Sequence, residues 1–235
     1  MLIDQYCHQN NDKVWFTREQ GSNFAKRLAD DFNPLHDANG KRFCVPGDLL
    51  FAVILARYGI NERMKFEFTN MVPDSVQLLL PSPSDHLSIE DETGRQYLQV
   101  TRSGVNSCDE SLISGLTRSY VEFSGHSFPH ILVPLLAEQG VMINPRRPMV
   151  IYESMVIELG NPRAGQPVLQ SSSNEFTLEG RRGSAQLSFD ILDRGATVGR
   201  GQKRMVLGGL MEYDEDAMSE AVAEHSNRKR QFLDL

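Results

Sequence analysis

Cysteine is scarce in this chain of 235 residues: Cys7, Cys44 and Cys108 are widely spaced and odd in number. That excludes the dense disulfide framework of a small secreted domain, offers no pair at metal-binding spacing, and predicts a reducing compartment, the cytoplasm. Long apolar runs are also missing. No stretch approaches the roughly 18 to 20 apolar residues of a membrane span, and the start MLIDQYCHQNNDK has no basic segment leading into an apolar one, so neither a leader nor a membrane partner is expected. Positive charge is short as well. Lys plus Arg number 24 against 31 for Asp plus Glu, a net charge of −7, which removes the electrostatic footprint of a nucleic-acid binder.

What is present is ordinary globular material, 40% hydrophobic, 23% charged and 8% aromatic, enough for one large domain or two small ones. The patterning predicts a short strand at 13–17 and a helix at 22–31, with Ser22 as N-cap and Phe24, Leu28 and Phe32 at helical spacing. Pro34 ends that helix. The run GDLLFAVILARYG, 47–59, is apolar on nearly every side, the signature of a helix buried all round. Strand-like runs follow at 65–71, 76–80, 86–91 and 96–102, separated by turn residues.

The second half is expected to repeat this plan. A helix at 109–123 precedes an apolar helix in SFPHILVPLLAEQG, where Pro129 suits a first turn and Pro134 kinks or delays the rest. Runs at 149–159, 168–178, 184–192 and 197–207 read as strands, with turns at 161–165, 180–183 and 194–195. The two halves share element order at an offset of roughly 80 to 85 residues, without shared residue identities. The polar stretch 214–230 is read as a surface helix or frayed tail without a functional part.

The informative segment is ADDFNPLHDANGKRFCVPGDLLFAVIL, 29–55. Asp30 and Asp31 fall at the expected C-terminal end of a helix, where the macrodipole disfavours negative charge; such local conflicts concentrate at functional sites. The turn at Asn33-Pro34 brings His36 back toward Asp31, and one carboxylate beside one imidazole can share the activation of a water. Read alone, D-x-N-P-x-H is also satisfied by a structural turn in which Asp31 caps and Asn33 bonds its own backbone. Downstream, Gly47 opens the buried helix, where free N–H groups and the dipole suit a developing oxyanion.

DFNPLH, with Asp31, Asn33 and His36, resembles the hydratase-2 motif of the MaoC-like, (R)-specific enoyl-CoA hydratases, and the run 43–55 is similar to the start of that family's central helix. The resemblance implies an α+β double hotdog: two buried helices, each wrapped by an antiparallel sheet, at 1–105 and 106–213, followed by a polar segment at 214–235. It implies water addition to an enoyl thioester of CoA or an acyl carrier. Asp31 and His36 would be the catalytic pair; Asn33, Phe43, Gly47 and Asp48 would bind substrate, with the Gly47 N–H on the thioester carbonyl. No metal or cofactor is implied, and the chain would form a pseudo-dimer, with a homodimer open.

This chain departs from the family in three places. Only ten residues separate His36 from Gly47; Pro46 stands where the family usually has His; and Asp48 replaces an apolar residue. A carboxylate at Asp48 could cap the very N–H groups that the carbonyl needs. The string KRFCVPGDLLFA also resembles a bacterial family without an assigned function. Two alternatives therefore accompany the hydratase: a non-catalytic acyl-CoA binder with Asp48 over the oxyanion site, and a hotdog thioesterase, in which water attacks the carbonyl. In the second half, His126 and His130 stand at i, i+4 spacing, as a metal pair would, but without a convincing third ligand. Ser124-Gly125 lacks the G-x-S-x-G elbow, and Cys44 reads as a small buried hydrophobe.

Overall fold

The structure is a computed structural model describing residues 2–160 and 165–233; the expected turn at 161–165 lies, except for Gly165, outside the described residues. Short strands β1 (His8–Asn10) and β2 (Lys13–Trp15) lead into helix α1 (Arg18–Arg27). This helix starts earlier than its hydrophobic spacing suggests. Thr17, not Ser22, is the N-cap: its side chain accepts from the Gln20 N–H at 3.1 Å, and Gln20 Oε1 accepts from the Thr17 N–H at 3.0 Å. This reciprocal box satisfies two orphan donors, and Ser22 is buried inside the helix.

Helix α2 (Gly47–Tyr58) is buried from Asp48 to Leu55 and again at Tyr58, as its apolar circumference predicts. Strands β3 (Ile60–Phe68), β4 (Leu78–Leu79), β5 (His86–Asp91) and β6 (Gln96–Ser107) follow. In the second half, α3 (Glu110–Gly125), capped by Asp109 on the Leu112 N–H, runs into a wide π-type turn at Phe128–Leu132 and then α4 (Val133–Glu138). The two expected helices therefore form one nearly continuous rod, and Pro129 and Pro134 mark its irregular stretch and not a gap.

After β7 (Val141–Met142) come β8 (Val150–Leu159), β9 (Val168–Glu179), β10 (Arg182–Asp193) and β11 (Ala196–Gly208), then β12 (Met211–Glu212) and the C-terminal helix α5 (Glu215–Leu233). One antiparallel sheet has the order β1-β2-β4-β5-β6-β3-β8-β11-β10-β9, and β7 pairs separately with β12. The segment β4-β5-β6-β3 mirrors β9-β10-β11-β8, with the first long strand after the helix innermost in each half, and β2 and β1 extend the first half beyond β4. The halves join where β3 and β8 pair antiparallel, from Arg63 opposite Glu158 to Glu67 opposite Ser154.

A single core spans that joint. Leu49, Phe51 and Leu55 of α2 share it with Leu116 and Tyr120 of α3, Met155 of β8 and Phe189 of β10. Aromatic contacts run from Phe66 through Phe51 and Tyr120 to Phe189, with Phe51 and Tyr120 centroids 4.6 Å apart. A smaller core lies under α4, around Leu132, Leu136, Leu187 and Leu207. Among the described residues, no helix is long and apolar enough to cross a membrane.

Candidate active site

The segment after α1 is built by local hydrogen bonds. Asp30 turns the chain in the left-handed region at φ 54°, and the Asp31 N–H returns to the Ala25 carbonyl at 2.8 Å. Asp31 Oδ1 accepts from the Asn33 N–H at 2.8 Å, and Asn33 Oδ1 from the Leu35 N–H at 3.0 Å, capping a 3₁₀ turn at Pro34–His36. These two Asx-type bonds bring His36 Nε2 to 3.7 Å from Asp31 Oδ2, with both side chains largely buried. Asp31 therefore lies beyond the end of α1 and not in its last turn. Its position comes from the turn, not from the helix dipole.

His36 is also fixed from behind. The short loop at 37–46 returns Cys44 to the motif: its N–H donates to the Leu35 carbonyl at 2.9 Å, and its carbonyl stands 2.7 Å from His36 Nδ1. A carbonyl can only accept, so Nδ1 carries the proton in the neutral ring and the Nε2 lone pair faces Asp31. Two acceptors 3.7 Å apart make no direct bond, but a water can donate one hydrogen to each and keep its lone pairs for an electrophile.

Asp31, Asn33 and His36 line a cavity of about 450 Å³ together with Gly47 and Asp48. Gly47 begins α2 with no side-chain cap. A Cβ there would stand 3.0 Å from Tyr152 and 3.1 Å from Phe68, so glycine lets these two rings pack against the helix start. Phe43, expected to bind substrate, does not line the cavity. Its ring packs against Gly21, with the Arg18 guanidinium 5.4 Å from its centroid, because the short loop turns it toward α1.

Asp48 does not cap α2 either. Its side chain crosses to the second half, where Oδ2 accepts from Ser124 Oγ at 2.5 Å and Lys203 Nζ donates to the same hydroxyl. Burial raises its carboxyl above the ordinary value, against the opposing pull of Lys203 and the Ser124 hydrogen bond. Tyr120 and Tyr152 join hydroxyl to hydroxyl beside this group, and burial pushes both phenols well above their ordinary range.

Helix α5 lines the cavity through Met218, Ala221, Glu224, His225 and Arg228. Of the two readings of 214–230, surface helix or frayed tail, the structure has the helix, largely exposed, with these few residues turned toward the cavity. His225 packs edge-on to Phe32 with centroids 6.1 Å apart and leans on Phe128; burial lowers its pKa, opposed by Asp31 and Asp30. Lys229 and His126 both reach Asp30 Oδ2, the latter at 2.7 Å, tying α5 and α3 to the motif loop. His126 thereby bonds a carboxylate that Lys229 also holds, and among the described residues no three His, Cys, Asp or Glu side chains gather as a metal would need.

The residues missed in the sequence still carried signals. Lys203 shares the alternating face of β11 with Met205 and Leu207, an apolar register that points a lysine inward. On α5, Met218, Ala221 or Val222, and His225 recur at helical spacing. Ser124 carried no such signal, since only the fold brings it to Asp48.

Several solved structures are similar to this chain along most of its length. An acyl-CoA thioesterase II from Mycobacterium marinum is 9% identical, with 91% of this chain and 100% of that one covered at a TM-score of 0.40. A conserved protein with a hot dog fold from Alicyclobacillus acidocaldarius is 8% identical, with 88% and 98% covered at 0.43. The dehydratase domain of the CurJ module of curacin polyketide synthase is 9% identical, with 88% and 96% covered at 0.33. No residue role follows from likenesses of this depth. None of the curated proteins compared matches the sequence. The family described as "Protein of unknown function (DUF3581)" matches residues 1–216, the whole of the sheet and the cavity walls except most of α5, and the chain belongs to that family.

Proposed function

We propose that this chain is a double-hotdog protein, with units at 1–105 and 106–213, that adds water to, or removes it from, an enoyl thioester of CoA or an acyl carrier. The observation that carries the reading is the Asp31–His36 pair, at 3.7 Å, opening on the same cavity as Gly47 at the uncapped start of α2. Water held by Oδ2 and Nε2 would attack the β carbon; one of the pair would take its proton and return one at the α carbon. The Gly47 N–H would meet the thioester oxygen as it gains enolate charge. The mirrored strand order, with β3 against β8, supports two copies of one unit in a chain.

The binder alternative rested on Asp48 covering those N–H groups, and its turn toward Ser124 favours the enzyme. The thioesterase alternative uses the same water against the carbonyl and is separated by product. The test offers the purified full chain trans-2-enoyl-CoAs and saturated acyl-CoAs, following loss of the conjugated double bond and release of free thiol. Hydration without thiol release is expected. Asp31→Asn and His36→Gln should each lower the rate by about 10²- to 10⁴-fold. Thermal stability should hold, because Asn keeps an oxygen for the Asn33 N–H. Thiol release from saturated esters, lost in the same variants, would replace this reading with the thioesterase; a rate loss matched by a fall in Tm would remove the pair from catalysis.

A further inference from the structure

The opening of the cavity has a chemistry of its own. Met71, Pro145, Pro148 and Ile151 line the cavity and are nevertheless exposed, Met71 at 62% and Ile151 at 45%. Residues that are both can only stand at the mouth. The rim is therefore apolar, contributed by the β3–β4 connection on one side and by the β7–β8 connection and the start of β8 on the other. Exposed apolar side chains grouped around an opening mark a surface that meets a ligand.

Between the two rim prolines stand Arg146 and Arg147. Their turn is fixed locally: the Arg147 N–H donates to the Asn144 carbonyl at 3.1 Å, and the Arg146 N–H to Asn144 Oδ1 at 3.0 Å. Asn at the first position and Pro at the second are what such a turn prefers. Both arginines are exposed, and among the described residues neither guanidinium has an acceptor. Arg228 of α5 also lines the cavity, but Glu224 one turn back holds it. An exposed arginine is satisfied by water, so the inference rests on where this pair stands. In a chain of net charge −7, two adjacent uncommitted cations beside the mouth create a local field that draws an anion the rest of the surface would repel.

The acyl-thioester reading supplies such an anion. A thioester whose acyl end lies beside Asp31 and His36 sends its carrier arm out through the mouth, and a pantetheine arm is uncharged amide and hydrocarbon until it ends in a phosphate. The protein repeats that order, apolar at the rim and cationic beside it. We propose that Arg146 and Arg147 form an anion subsite for the phosphate at the far end of this arm, carried by CoA or by an acyl carrier. Guanidinium suits the task, because its planar fork bonds two phosphate oxygens at once and stays charged at any working pH. The subsite rests on the acyl-thioester reading, which it deepens by naming the part of the carrier that is recognised, and it leaves the proton chemistry to Asp31 and His36.

The test is calorimetry on the full chain with three octanoyl ligands in which a methylene replaces the thioester sulfur, so that none is consumed. They are the pantetheine arm ending in its free hydroxyl, the same arm ending in a methyl phosphodiester, as at a carrier serine, and the complete CoA. A phosphate-bearing ligand should bind about tenfold or more tightly than the free-hydroxyl arm, since hydrogen bonds between charged groups are the stronger ones. In the Arg146→Gln/Arg147→Gln variant, which keeps both backbone bonds of the turn, that gain should largely vanish while the free-hydroxyl arm binds as before. Arg194→Gln removes a cation from the β10–β11 turn, at the opposite end of β8 from the mouth, and should keep the gain. An equal gain for the diester and CoA assigns the site to the phosphate they share, and a gain for CoA alone assigns it to CoA as the carrier. No gain in the native protein, a gain that survives the double variant, or an equal loss in Arg194→Gln would overturn the subsite. Failure of all three ligands to bind would remove the acyl reading too, whereas equal binding of all three would sink the subsite alone.

Discussion

At the residue scale, burial sorts side chains that look alike in the sequence. Cys44 and Cys108 are both free, but burial raises the Cys44 thiol to about 11, while Cys108 is exposed. Since the thiolate is the reactive species, a maleimide or iodoacetamide at neutral pH should label Cys108 first and leave Cys44 largely intact, as peptide mapping would read. Preferential labelling of Cys44 would mean its loop opens freely. Asp48 gives a second prediction. Its pKa is raised above the ordinary 3.8 by desolvation, more than Lys203 and Ser124 lower it. The folded state therefore holds this proton more tightly than the unfolded chain, and the associated stability is full below 3.8 and lost as pH rises through the raised value. The stability difference between the native protein and Asp48→Asn, measured by denaturant titration across acid to neutral pH, should shift against the native protein as pH rises; a flat difference would contradict the assignment. The catalytic candidates were legible here because Asp31, Asn33 and His36 are joined by bonds within one short turn. Ser124 and Lys203 were not, since each is many tens of residues from Asp48 in sequence.

At the element scale, what the sequence hid was where helices begin, bend and touch. The Thr17 capping box outweighed the spacing that favoured Ser22, because two reciprocal hydrogen bonds at a helix start are worth more than a one-turn shift of an apolar stripe. The rod of α3 and α4 carries a constraint of another kind. Gly125 ends α3 where it passes the chain at Ala29, and a Cβ at that position would stand 1.7 Å from the Ala29 carbonyl oxygen. That is backbone, which cannot rotate aside, and Ala29 is the residue from which the Asp31 turn departs. Gly125→Ala should therefore destabilise the protein by about 1–3 kcal/mol, as overpacking does, and reduce turnover further by displacing Asp31 from His36. Chemical denaturation together with the hydration assay checks both. An alanine variant with native stability and native rate would show that α3 does not set the position of the motif loop. The polar look of α5 reports its solvated face, while its few inward residues line the cavity.

At the scale of the whole molecule, the order of elements and a pseudo-dimer of two halves that lean on each other were legible, but not which strands join them. Helix then four strands, twice, can be read from periodicity and turn residues. The antiparallel joint of β3 with β8 cannot, because both strands alternate as any half-buried strand does. That joint decides how the protein unfolds. Leu112, Leu116, Tyr120, Val121, Met155, Ile157, Phe189 and Ile191 of the second half all belong to the core that surrounds α2. Each such side chain contributes about 1.5–3 kcal/mol when fully buried, whereas whole domains are stable by only about 5–15 kcal/mol. A fragment of residues 1–107 would lose the entire set and expose β3 as an open edge. It should accumulate as aggregate without a cooperative unfolding transition, and co-expression with residues 108–235 should restore a soluble complex. The intact chain should then unfold as one unit. Trp15, the single tryptophan, sits on β2 near the outer edge of the first half, so its fluorescence reports that half, while far-UV circular dichroism reports both. The two denaturation curves should coincide. Separated midpoints, or a 1–107 fragment that folds cooperatively alone, would show that the shared core is an interface between independent units.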